Sequence, residues 1–172
     1  MSTRLTHIAA AYSEAKKLGT NEGLDSQLRD QLKRLLLPER GANKKYRQLI
    51  KEISTQLARP ERKMSSTRCP ECGERFSLIT VDGQQIDFCL NCNSFWFDAG
   101  ELKHFTDLFS DVPGENLKSR VSRYRCPICG APMKECVFIS IANLLVDKCP
   151  SDHGVYLESG ELNRALNLSD VI

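Results

Sequence analysis

Cys69-Pro70-Glu71-Cys72-Gly73 leads to Cys89-Leu90-Asn91-Cys92-Asn93-Ser94-Phe95-Trp96-Phe97-Asp98-Ala99-Gly100-Glu101-Leu102. The pattern then recurs. Cys126-Pro127-Ile128-Cys129-Gly130 leads to Cys149-Pro150-Ser151-Asp152-His153-Gly154-Val155-Tyr156-Leu157-Glu158-Ser159-Gly160-Glu161-Leu162. From the third ligand position to Gly-Glu-Leu the two copies align without a gap. A C-x-x-C pair wraps a tight turn around an ion, and two such pairs on neighbouring hairpins close a tetrahedral site. Pro70 and Pro127 preset the turn, and Gly73 and Gly130 supply the positive φ that follows its second cysteine.

The spacing therefore predicts two Zn²⁺ ions in structural roles. Cys69, Cys72, Cys89 and Cys92 are candidate ligands of the first, with iron in the same S4 geometry as the alternative. Cys126, Cys129 and Cys149 are candidates for the second. Its fourth ligand is left open between Asp152 and His153: register favours Asp152, and general ligand frequency favours His153. Either choice makes this the weaker site. Cys136 lies outside both knuckle pairs and reads as a buried strand residue. The eight cysteines read as metal thiolates rather than disulfides if the compartment is reducing. That expectation, with no apolar run long enough for a membrane and no signal-peptide pattern, points to a cytoplasmic protein.

Outward from the repeats, the fold class reads as α+β: residues 1–60 a small basic helical domain, 61–112 one zinc ribbon, 113–172 a second. Three helices are expected at the start. Leu5, Ile8, Ala9, Tyr12 and Ala15 mark the first, and Leu24, Leu28, Leu32, Leu35 and Leu36 the second. Tyr46, Leu49, Ile50, Ile53 and Leu57 mark the third. Arg59 to Arg68 reads as a polar linker. Phe76–Val81 and Gln84–Phe88 read as strands joined by an Asp82-Gly83 turn, matched in the second copy by Met133–Ile139 and Leu144–Asp147. A helix over Ala99–Phe109 should start on a capping box made by Asp98 and Glu101. The basic segment Lys118–Arg125 joins the modules.

The pattern C-P-x-C-G followed by C-P-x-C-x-G-x-W-x-D-x-G-E-L resembles the zinc-ribbon family named after the transcription factor IIB zinc finger. The resemblance covers roughly residues 66 to 172, twice over. It implies a small β-ribbon followed by a short helix, used as a nucleic-acid-binding or regulatory module. Copy two departs from the family at Asp152, Tyr156 and Glu158. It keeps His153-Gly154, a pair common in the family where the His is not a ligand.

Net charge is divided unevenly. Residues 1–63 hold 14 Lys and Arg against 7 Asp and Glu, and residues 64–172 hold 10 against 15. Nucleic-acid affinity is therefore expected from the basic helices, through Lys16, Lys17, Arg29, Lys33, Arg34, Arg40, Lys44, Lys45, Arg47 and Lys51. Phe95, Trp96 and Phe97, with Phe105 and Phe109, form either a stacking platform or the core between ribbon and helix. The reading is a non-enzymatic zinc-binding adaptor or regulator acting on nucleic acid or the transcription apparatus. The alternative is a protein–protein adaptor using the acidic ribbons. The third is zinc-dependent hydrolysis at an incomplete second site. His7, His104 and His153 belong to no catalytic constellation visible in the sequence.

Overall fold

The computed structural model describes residues 28, 30–32, 34 and 41–171, in two compact units, Met1–Arg62 and Lys63–Ile172. The helix expected around Leu5–Ala15 lies outside the described residues. In the segment of the second expected helix, Leu28, Asp30, Gln31, Leu32 and Arg34 are helical, with Leu28 and Leu32 buried. Helix α1, Lys44–Leu57, buries the predicted stripe of Tyr46, Leu49, Ile50, Ile53 and Leu57. Asn43 caps it, its side chain accepting from Lys45 N at 2.8 Å. Its outer face carries exposed Lys44, Lys45, Arg47 and Lys51.

The second unit holds β1 (Met64–Arg68), β2 (Arg75–Val81), β3 (Gln84–Cys89), β4 (Ser94–Asp98) and α2 (Glu101–Thr106). The second repeat adds β5 (Ser119–Arg125), β6 (Pro132–Val137), β7 (Leu145–Lys148), β8 (Gly154–Leu157) and α3 (Glu161–Ser169). All eight strands form one antiparallel sheet in the order β1-β2-β3-β4-β8-β7-β6-β5. The two ribbons are joined back to back at β4 and β8. Trp96 pairs with Tyr156 there, flanked by Phe95↔Leu157 and Phe97↔Val155. Trp96 and Tyr156 occupy equivalent places in the two repeats, so the seam has the self-complementary register of a two-fold interface.

Strand alternation separates two layers. One face stacks Phe88, Phe95 and Phe97 against Phe105 of α2. Helix α3 lies beside α2 and buries Leu162, Ala165 and Leu166. The other face carries Trp96, Tyr156, Phe76, Tyr124 and Met133 together with both cysteine sets. Phe95, Trp96 and Phe97 are all buried, so they are core. Phe109 is 83% exposed.

Two strands escaped the sequence reading. The linker contains β1, which pairs with β2, and the joining segment is edge strand β5, paired with β6. β1 buries only Ser65, and β5 only Ser122 and Tyr124, so neither shows a run of apolar alternation. Buried acids lie beside these hydroxyls instead, Asp87 next to Ser65 and Thr67 and Asp147 next to Ser122, and burial raises both carboxyls to about 6.

The ribbon helix is shorter than Ala99–Phe109 because Asp107 turns left-handed at φ 56. Its N-cap is Gly100, at φ 90 and without a side-chain cap. Half of the expected box is present: Glu101 accepts from Asp98 N at 2.9 Å, while the Asp98 side chain is taken by Trp96 Nε1 at 2.8 Å. Asp111, unanticipated, accepts from Gly100 N and Lys103 N.

Glu161 repeats the motif, accepting from Glu158 N at 2.8 Å. Burial pushes its carboxyl up to about 7 against that opposing donation. The folded state therefore holds a proton that the unfolded chain releases near the ordinary carboxylate pKa. Stability from this group is full at low pH and is lost as pH rises from about 4.5 to 7. Glu161→Gln keeps an acceptor and removes the titration. Denaturant midpoints of the metal-loaded protein between about pH 5.5 and 8 should fall less steeply in the variant. Parallel profiles would show that Glu161 is ionised throughout.

Candidate metal centres

Each first knuckle is built by the same three hydrogen bonds. Gly73 N donates to Cys69 O at 2.9 Å, and Cys69 N to Glu74 O at 2.8 Å. Gly130 N and Cys126 N donate to Cys126 O and Ala131 O, both at 2.8 Å. Gly73 and Gly130 have φ of 77° and 73°, in the region where a side chain is strained. An arginine on the preceding strand closes each loop: Arg68 Nη1 reaches Gly73 O and Arg125 Nη1 reaches Gly130 O, both at 3.0 Å. The sequence carries this device as an Arg before each Cys-Pro, though spacing alone assigns it no role.

The second knuckles arrive from the β3–β4 and β7–β8 turns. Ligand-type atoms of Cys69, Cys72, Cys89 and Cys92 gather within 4.8 Å of one another, and so do those of Cys126, Cys129, Cys149 and His153. Zinc bonds of about 2.3 Å to sulfur and about 2.0 Å to nitrogen make tetrahedral edges of about 3.8 Å (S–S) and about 3.5 Å (S–N). Cys72 and Cys89 sulfurs are 3.5 Å apart, Cys129 and Cys149 3.7 Å, and Cys149 Sγ and His153 Nδ1 3.3 Å. The donor sets fit zinc in both dimension and chemistry.

Asp152 stands outside the second group. Its carboxylate pairs with Lys148 Nζ at 3.0 Å, and its side chain is 76% exposed. The gathered donor group thus contains His153, the second of the two candidates, and not Asp152. In the first turn Asn93 takes the left-handed conformation immediately after Cys92, at φ 55; in the second, Asp152 itself takes it, at φ 60. The chain turns one residue earlier, and the longer imidazole of the next residue reaches where a cysteine sulfur would sit.

Electrostatics within the clusters point the same way. The Cys89 thiol donates to Cys69 and holds it well below the usual thiol range, while the acceptance by Cys69 and burial push Cys89 up. In the second cluster burial pushes Cys126 up to about 11, whereas the Ala131 backbone N–H draws Cys129 down to about 7. Without a cation such a cluster keeps its negative charge on few sulfurs, and a divalent ion is what allows all of them to ionise. Four donors also complete a tetrahedral set, so neither cluster keeps the open position that metal-assisted hydrolysis requires.

Cys136 is buried on β6, donating to Lys134 O at 3.5 Å, away from both clusters. His104 is exposed on α2. Beside the first cluster stand groups that the spacing of cysteines did not single out: Ser94 Oγ at 3.6 Å from Cys69 Sγ, and the phenol of Tyr156 at 3.7 Å.

No described helix is long and apolar enough to cross a membrane. No curated protein and no solved structure matches the chain. Residues 68–107 and 125–168 each match the family described as a transcription factor zinc-finger, and each match contains one complete donor set. The chain has a tandem zinc-ribbon architecture, two regions each similar to the transcription factor zinc-finger family joined in one sheet.

Proposed function

We propose that the protein is a non-enzymatic zinc-binding adaptor that engages nucleic acid through its basic helical unit. Two structural zinc ions hold the paired ribbons, one on Cys69, Cys72, Cys89 and Cys92, the other on Cys126, Cys129, Cys149 and His153. The observation that carries the nucleic-acid reading is the outer face of α1. Lys44, Lys45, Arg47 and Lys51 are exposed there, and the first turn holds no acid. Such a face attracts phosphates without reading sequence. Burial of Phe95, Trp96 and Phe97 leaves the ribbons without the stacking platform those rings would have offered. Thiolates on metal suit a reducing, cytoplasmic setting.

The test is a titration of the zinc-loaded chain against labelled single- and double-stranded DNA and RNA at several salt concentrations. Submicromolar binding with a steep salt slope is the expected result. Joint reversal of Lys44, Arg47 and Lys51 to Glu should weaken it at least about tenfold, and flatten the slope by about 0.9 for each phosphate no longer neutralised. Absence of binding near physiological salt would move the reading to a protein partner docked on the acidic ribbons. Exposed Phe109 is the residue to substitute first in that case.

A further inference from the structure

The seam between the ribbons places one side chain of the second repeat against the metal cluster of the first. Tyr156, on β8, is fully buried. Its hydroxyl donates to Glu71 Oε2 at 3.0 Å and lies 3.7 Å from Cys69 Sγ. Both partners belong to the first C-x-x-C knuckle. Its ring meets Tyr124 edge-on, with centroids 5.0 Å apart, and Tyr124 adjoins the second cluster in the same packed core. The equivalent residue of the first repeat behaves differently: the Trp96 indole donates to Asp98 within its own ribbon.

We propose that Tyr156 is a positioning residue for the first metal site, clamping the Cys69–Cys72 knuckle from the second ribbon and so coupling the loading of the two sites. This rests on the metal assignment proposed above. When the cysteines bind metal, Cys69 becomes a thiolate and can only accept. The phenol proton then lies between two anionic acceptors, Glu71 and Cys69, and holds the loop that presents Cys69 and Cys72. Groups that orient metal ligands commonly change affinity by tenfold or more. The clamp is in place only when β8 is folded, and β8 follows directly on His153 of the second donor set. Order at the second site therefore favours the first. Linkage requires the reverse by the same factor.

The experiment uses the full chain and its Tyr156→Phe and Tyr124→Phe variants. Tyr156→Phe keeps the ring and removes only the hydroxyl. Tyr124 is the control, because its buried hydroxyl has no hydrogen-bond partner among the described residues. Each protein is loaded with zinc for stoichiometry, then with cobalt for spectra and chelator competition. Tyr156→Phe should still bind two ions. Its first site should be weakened about tenfold, and its thiolate-to-cobalt charge-transfer band should move to lower energy because a donor to the knuckle is gone. Tyr124→Phe should change neither.

The coupling is read from a double-mutant cycle. Cys129→Ser at the second site should weaken the first in the wild type, and weaken it less in the Tyr156→Phe background. Equal first-site affinity and an unmoved band in Tyr156→Phe overturn the proposal, as does an equal loss in Tyr124→Phe. Failure of the wild type to bind two metal ions would instead overturn the metal reading and this proposal with it.

Discussion

Replacing Cys89 by Ser is expected to unfold most of the second unit and to move the emission of its tryptophan to the red. The chain has one Trp, and Trp96 lies at the ribbon seam with 1% of its surface exposed. Its fluorescence therefore reports directly on the seam. Structural zinc contributes about 10–16 kcal/mol of apparent binding energy in small metal domains, against a net stability of about 5–15 kcal/mol for an ordinary domain. One face of this sheet has the cysteine clusters as part of its core, packed around Trp96, Tyr156, Phe76 and Met133. Removing the ion leaves buried thiols in that core with opposed demands on their protons. The expected loss is at least about 4 kcal/mol, or a melting point lower by about 10–20 °C.

Chelation of the wild type should reach the same state in two steps. The second set has three sulfurs and one imidazole, and Cys129 is exposed, so its ion should leave first and Cys129→Ser should be milder than Cys89→Ser. Helicity of α1 should persist through both steps, because α1 belongs to the first unit, which holds none of the metal donors. A blue, unshifted Trp96 emission in excess chelator would show that the sheet holds without metal, and would sink the structural role.

The clustering of the metal-type donors was legible because knuckle spacing is a local property: Pro, Gly and the two cysteines fix the turn with hydrogen bonds that span only a few residues. The Asp82-Gly83 hairpin was legible for the same reason, with φ of 49° and 81° at the two turn residues. What the sequence concealed depended on partners distant along the chain. Ser65 and Ser122 point inward toward buried acids, so β1 and β5 show no hydrophobic period. The placement of His153 rather than Asp152 in the donor group turned on where one backbone residue goes left-handed, which ligand counting does not sense. The seam was the deepest omission. Two ribbons with edge strands β4 and β8 could pair with each other or remain separate, and the deciding signal was a matched pair of aromatic residues, Trp96 and Tyr156, that alone would look like a substitution within a motif.

That seam sets the other large effect. Gly154→Ala is expected to cost about 3 kcal/mol or more and to open β4 from β8, although it adds a single methyl group. A Cβ at Gly154 would collide with the Phe97 carbonyl oxygen and come within 2.6 Å of Trp96 Cζ2. An indole can tilt, whereas a carbonyl held in the β4–β8 ladder cannot retreat without breaking the Phe97↔Val155 pair. The requirement at Gly154 is thus for space. The mirror position in the first ribbon, Ser94, accommodates a side chain because the ring beside it is the smaller Tyr156, which also lies near Cys69. Large ring with Gly and smaller ring with Ser make the seam asymmetric in size while symmetric in register.

Ser94→Ala should accordingly cost only about 1 kcal/mol, for a lost hydrogen bond. Chemical denaturation of the two variants, followed by Trp96 emission, checks the contrast. Combining Gly154→Ala with Trp96→Phe, with unfolding followed by circular dichroism because the chain's one Trp is then gone, identifies the obstacle: no recovery is expected, since the carbonyl remains in place. Recovery to near wild-type stability would show that the indole alone demands the glycine and that the backbone of β4 yields. Because His153 immediately precedes Gly154, the single variant should also release its second metal ion more readily than the wild type does, and retention equal to that of the wild type would place the damage away from the seam.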